Sequence, residues 1–166
     1  MRTVVGILGF LLASTAAQAA EYTAPRIQVL KGAITSTYGC DAIPSHADIA
    51  AYAATSLSAA QAKAGVSKPV AVRAAGGAVD AAALKVAFDL DVAFLTDNAN
   101  DGPRTYMVGL ADKFWTGRDP LLPDAPEMLY WDVDAGCGYE LTHSIHQIID
   151  ERTGVLAAKI KKSRQP

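Results

Sequence analysis

Two histidines three residues apart, His143 and His146, are the side chains in this sequence best spaced for chemistry. On a helix, positions i and i+3 share a face, and two imidazoles there can hold a metal ion; on a strand the same two residues point to opposite sides. Their surroundings read as a strand, so no metal site is expected. Carboxylate pairs are the second candidate set: Asp89 with Asp91, and Asp132 with Asp134, alternate along apolar segments. Such pairs do acid–base work only where their environments drive the two pKa values apart, and the wet face of a strand supplies no such difference. The third histidine, His46, falls in the first turn of a predicted helix, where solvation is the expectation.

Other motifs are excluded residue by residue. Residues 97–102 begin acidic and place Gly102 sixth, as a calcium loop does, but Ala99 stands at the third ligand position and Val108 at the twelfth, where a bidentate Glu is required. There is no G-x-S-x-G elbow, and Gly76-Gly77 lacks the Lys that a phosphate loop needs. No catalytic residue, metal or cofactor is therefore assigned. The aromatics Phe114, Trp115, Tyr130 and Trp131 flank a proline-rich stretch, 116–127, and Trp and Tyr combine large apolar area with a polar tip. These four are the candidate binding residues, with packing beneath that stretch as the competing role.

The two cysteines, Cys40 and Cys137, have no second thiol at C-x-x-C spacing, and each adjoins glycine, Gly39 in one case and Gly136 and Gly138 in the other. In an oxidising compartment they are expected to form a structural bridge. Closing so long a loop removes unfolded-chain entropy worth about 4–5 kcal/mol in the loop-closure account.

The start of the chain indicates that compartment. Arg2 precedes an apolar run from Val4 to Leu12, too short for a membrane span, and Ala17-Gln18-Ala19 carries small residues where a signal peptidase reads them. The expectation is a signal peptide at 1–19 and a single domain at 20–166. No Cys stands at the expected cleavage point, the first being Cys40, so no lipid anchor is expected, and no stable membrane anchor is expected after cleavage. The remainder keeps all 17 acidic residues and loses only Arg2 of the 15 basic ones. Mild acidity, with one short basic cluster near the end, argues against nucleic acid as a partner.

Stepping along the exported part, the clearest helix spans His46 to Ala64. Pro44 blocks earlier propagation, Ser45 can cap, Asp48 favours the first turn, and Gly65 ends it. Ile49, Ala53, Leu57, Ala60 and Ala64 recur at helical spacing. Leu84 to Phe94 alternates with period two and Thr105 to Ala111 alternates again, which predicts a hairpin pairing Phe94 with Tyr106, Val92 with Val108 and Leu90 with Leu110. Weaker strands are predicted at Arg26 to Tyr38, Pro69 to Arg73 and Met128 to Asp134. A second hairpin is predicted from 139–150 and 155–162, turning at Gly154, with a helix over 141–150 as the alternative.

The pattern predicts an α+β domain, one main helix packed on a twisted, mostly antiparallel sheet of about six or seven strands. The expected function is that of an exported envelope protein, periplasmic or secreted, acting as a non-catalytic binding or assembly-accessory module on an envelope protein partner. A small periplasmic enzyme or apolar-ligand carrier, with its site near His143 and His146 or near Trp115 and Trp131, is the alternative.

Overall fold

The computed structural model describes residues 24–36, 43–74, 76, 78–96, 105–115, 128–133 and 139–165. In chain order these form strands β1 (Arg26–Leu30) and β2 (Ile34–Ser36), helix α1 (His46–Ala64), strands β3 (Ala71–Ala74), β4 (Leu84–Thr96), β5 (Thr105–Trp115) and β6 (Met128–Val133), and helix α2 (Tyr139–Ser163). The sheet runs β3-β1-β4-β5-β6, with β2 pairing on β4.

Both ends of α1 form as their residues dictate. Ser45 adopts an extended conformation and its Oγ accepts from the Asp48 amide at 3.2 Å while donating to Asp48 Oδ2 at 2.6 Å, which satisfies a donor that the first turn leaves open. Gly65 takes the left-handed conformation, φ 67° and ψ 45°, and residues 65 and 66 close the end by donating to Ala62 and Gln61. Ile49, Ala53 and Leu57 of the expected stripe are buried, and Ala60 and Ala64 pack at its edge.

Two features overturn the expected arrangement. The sheet is not mostly antiparallel: β1 runs parallel to β3 and to β4, an all-parallel unit of three strands, and β2 is also parallel to β4. Among the described residues, antiparallel pairing is confined to β4 with β5 and β5 with β6. Parallel neighbours cannot be joined by a tight turn, and α1 supplies the crossover from β1 and β2 to β3. Within the antiparallel part, Phe94–Tyr106, Val92–Val108 and Leu90–Leu110 pair as their alternation predicts.

The second correction concerns the end of the chain, where one helix of 25 residues replaces the predicted hairpin. Leu141, Ile145, Ile148, Ile149, Thr153, Leu156, Ala157 and Ile160 are all buried, at steps of one, three and four that only a helix places on one face. Ile149 with Leu156 and Ile145 with Ile160 resemble cross-strand pairs, yet they are successive positions of that stripe. Gly154, read as a turn, sits inside the helix.

One hydrophobic core unites these elements: Ile27 and Val29 of β1, the row Leu84, Val86, Phe88, Leu90 and Val92 of β4, and the inner faces of α1 and α2. Both helices therefore cover the same side of the sheet. Each fully buried Leu or Ile contributes about 1.5–3 kcal/mol relative to exposure.

Candidate functional site

Where α1 crosses α2 the two helices exchange polar contacts above the core. Asp150 accepts the Tyr52 hydroxyl on Oδ2 at 3.0 Å and the Ser56 hydroxyl on Oδ1 at 2.5 Å. Ser56 Oγ also lies 2.6 Å from Thr153 Oγ1, which donates to the Asp150 carbonyl at 3.0 Å. One turn earlier on α2, the His146 ring stacks on Tyr52. Tyr52 and Ser56 are four apart on α1, as His146 and Asp150 are on α2, so each pair lies along one helical ridge. Burial raises the Tyr52 pKa above its ordinary 10.0, and the hydrogen bond and charge of Asp150 add to the rise.

Beside this seam lies a hollow of about 450 Å³, lined by Ser56, Ala59, Ala60, Lys63 and Ala64 of α1 and by Asp150 and Gly154 of α2. Four of its seven lining residues are alanine or glycine, and Ser56, Lys63 and Asp150 supply its polar groups.

A second polar assembly holds the turn before β4. Arg26 pairs with Asp80, Gln28 donates to the Ala78 carbonyl at 3.1 Å and accepts from the Asp80 amide at 2.9 Å, and Asp80 also accepts from Ala82. Lys85 is fully buried, with Nζ donating to the carbonyls of Ala81 at 3.2 Å and Ala83 at 2.8 Å. Burial holds the lysine pKa below its ordinary 10.5, with the Asp80 charge opposing. Side chains of β1 and β4 thus consume the carbonyls of this turn, which makes it a fixed loop.

The candidates from the sequence are scattered. His143 is exposed on α2, one turn from His146. His46 lies at the other end of the molecule's first crossover, with Nδ1 2.7 Å from the Gly32 carbonyl. Among the described residues no group of three His, Cys, Asp or Glu side chains gathers as a metal site. Phe114 and Trp115 close β5 opposite Val86 and Lys85, whereas Tyr130 and Trp131 stand opposite Gly109 and Val108. Trp115 lies six positions along β5 from Gly109, about 20 Å of strand, so register divides the four aromatics into two places. Asp89 accepts the Ala33 amide at 2.9 Å. Cys40, Cys137 and Asp134, together with the 97–102 loop, lie outside the described residues.

Sequence reasoning missed Tyr52, Ser56 and Asp150. Ser56 and Tyr52 flank the apolar stripe of α1, the one signal that could have found them; Asp150 was hidden by reading its segment as a strand.

No family model matches the sequence, and no curated protein matches it. Among solved structures, the chain is similar to the PelC dodecamer from Paraburkholderia phytofirmans, at 11% identity over 81% of this chain and 87% of that one, with a TM-score of 0.42. It is also similar to a protein from Xanthomonas campestris, at 14% identity over 83% of this chain and 84% of that one, with a TM-score of 0.41. Function therefore rests on the chain's own residues. Among the described residues no helix is long and apolar enough to cross a membrane.

Proposed function

We propose that the chain is exported to the cell envelope and serves there as a non-catalytic binding or assembly-accessory module for another envelope protein. The observation that supports this reading is the condition of Asp150. Asp150 stands beside a histidine and two hydroxyls, and both of its oxygens already accept those hydroxyls from the opposite helix. A carboxylate so engaged acts as a strut between α1 and α2, not as a base awaiting a substrate.

Cleavage after Ala19 and a Cys40–Cys137 bridge belong to the same proposal, since both require export. The binding surface assigned to it is carried by Tyr130 and Trp131 on β6, the edge strand of the sheet order, with Phe114 and Trp115 at the end of β5 as a second contact. No cofactor is needed for this task.

The test is crosslinking in intact cells followed by purification of the native chain and mass spectrometry. An envelope protein that is captured with the wild type and lost with Tyr130→Ala or Trp115→Ala is the expected result. The mature mass should begin at Ala20 and correspond to the oxidised chain. A chain that keeps its leader, or one whose captured partners survive both substitutions, would overturn the reading.

A further inference from the structure

The two helices differ in what they show to solvent. On α2 the exposed positions include Asp150, Glu151, Lys159 and Lys162, the charged surface expected of a helix with one wet side. On α1 the exposed positions between the ends are Ala51, Thr55, Ser58, Ala59 and Ala62, and no charged residue occurs from Ile49 to Ala62. The two hydroxyls on that face turn back onto their own helix: Thr55 Oγ1 donates to the Ala51 carbonyl at 3.1 Å and Ser58 Oγ to the Ala54 carbonyl at 2.9 Å. What remains outward is low, uncharged and already hydrogen-bonded. Covering it strands no side-chain donor, and its small residues let another backbone approach closely.

On α1 itself charge returns only at the two ends of this face. Asp48 is exposed in the first turn of α1 and Lys63 is exposed in the last. Fifteen positions separate them, about 22 Å along the axis, and about 60° around it, so both border the same uncharged surface. A partner helix of the same charge order running parallel would set like charge against like at each end. A second α1 running antiparallel meets both ends with opposite charge, because a two-fold rotation exchanges them, and it opposes the helix dipoles as well. The face is complementary to itself.

We infer that α1 forms the dyad face of a homodimer, packed antiparallel on α1 of a second copy of this chain, with Asp48 against the opposing Lys63 at both ends and Thr55 and Ser56 beside the two-fold axis. The hollow along the flank of α1, lined by Ser56, Ala59, Ala60, Lys63, Ala64, Asp150 and Gly154, borders this face. One helix face is smaller than the roughly 1,200–2,000 Å² of a standard stable interface, so protein concentration controls this dimer. The inference is independent of the aromatic surface proposed above.

The experiment is sedimentation velocity on the full chain, expressed with its own leader and purified, over a wide concentration series. A monomer–dimer equilibrium is expected, and Ala59→Arg should weaken it at least tenfold while leaving unchanged the circular dichroism and the melt taken at a concentration where the wild type is monomeric. Asp48→Lys and Lys63→Asp should each weaken the dimer, and the double reversal should restore it, since the pairs re-form with their signs exchanged. Loss of the Asp48 contact to Ser45 lowers the melt of the single and the double variant alike, so recovery of the dimer separates association from folding. A monomer at every concentration, whether or not α1 then binds vesicles or another protein, overturns the inference. So does a dimer indifferent to Ala59→Arg, or a double reversal no better than its parents.

Discussion

The Tyr52 ring of α1 lies flat on the His146 imidazole of α2, with centroids 3.7 Å apart and planes 7° from parallel. The contact sets a titratable base into the helix seam, where burial holds its pKa below the ordinary 6.5; Asp150 opposes that shift and His143 reinforces it. As pH falls through about 6.5 the unfolded chain takes up this proton first, so it binds more protons than the folded chain does and stability declines. Above that pH the residue is neutral in both states and contributes no slope. Urea midpoints measured from about pH 7.5 to about pH 5 should fall for the wild type and fall less for His146→Gln. Equal slopes would show that His146 is not held neutral by the seam.

Asp150 joins the two helices through Tyr52 and Ser56, and Asp150→Ala should cost about 1 kcal/mol, below the usual range for bonds to a charged group because the carboxylate is exposed. The same substitution should bring the Tyr52 phenol down toward 10.0, since two of the three influences raising it come from Asp150. Ultraviolet titration, read as the difference from Tyr52→Phe, measures this. A phenol that does not move would mean that burial alone sets it.

These seam residues also mark where the sequence was readable. The ends of α1 follow from Ser45, Asp48 and Gly65, whose caps are local chemistry, and the β4–β5 register follows from alternating side chains that only one alignment matches. Strand direction did not follow, because alternation fixes which face a residue takes and says nothing of parallel or antiparallel neighbours. The end of the chain was misread because Ile145, Ile149, Leu156 and Ile160 suit either period when only a few are compared, and Gly154 suggested a turn. That error removed Asp150 and His146 from their helix, and with them the whole polar seam.

Gln61 faces the core at 1% exposure, its Nε2 donating to the Val70 carbonyl at 3.1 Å and its Oε1 accepting the Val70 amide at 2.7 Å. It thereby replaces a strand partner for Val70 and fixes the approach to β3. Gln61→Leu keeps the volume but leaves a buried donor and a buried acceptor unpaired, each costing about 1–3 kcal/mol. A loss of at least about 2 kcal/mol is expected in urea unfolding. A loss below half of that would mean that water reaches Val70.

Two glycine-to-alanine substitutions should have opposite signs. At Gly32, between β1 and β2, an added Cβ overlaps the Phe88 carbonyl of β4. The backbone there is pinned, since Ala33 donates to Asp89 at 2.9 Å, the Leu90 amide donates to the Ala33 carbonyl at 2.9 Å, and the Gly32 carbonyl meets His46. Gly32→Ala must push two bonded strands apart and should cost about 1–3 kcal/mol. At Gly154, inside α2, an added Cβ meets nothing within 4 Å, and the residue holds a helical conformation in which glycine is worse than alanine. Gly154→Ala should stabilise the chain by about 0.5–1 kcal/mol, by restricting the unfolded backbone. Thermal melts of the two variants, compared at one protein concentration, decide both. A destabilised Gly154→Ala would show that the added methyl group is crowded in solution, against the open space beside it.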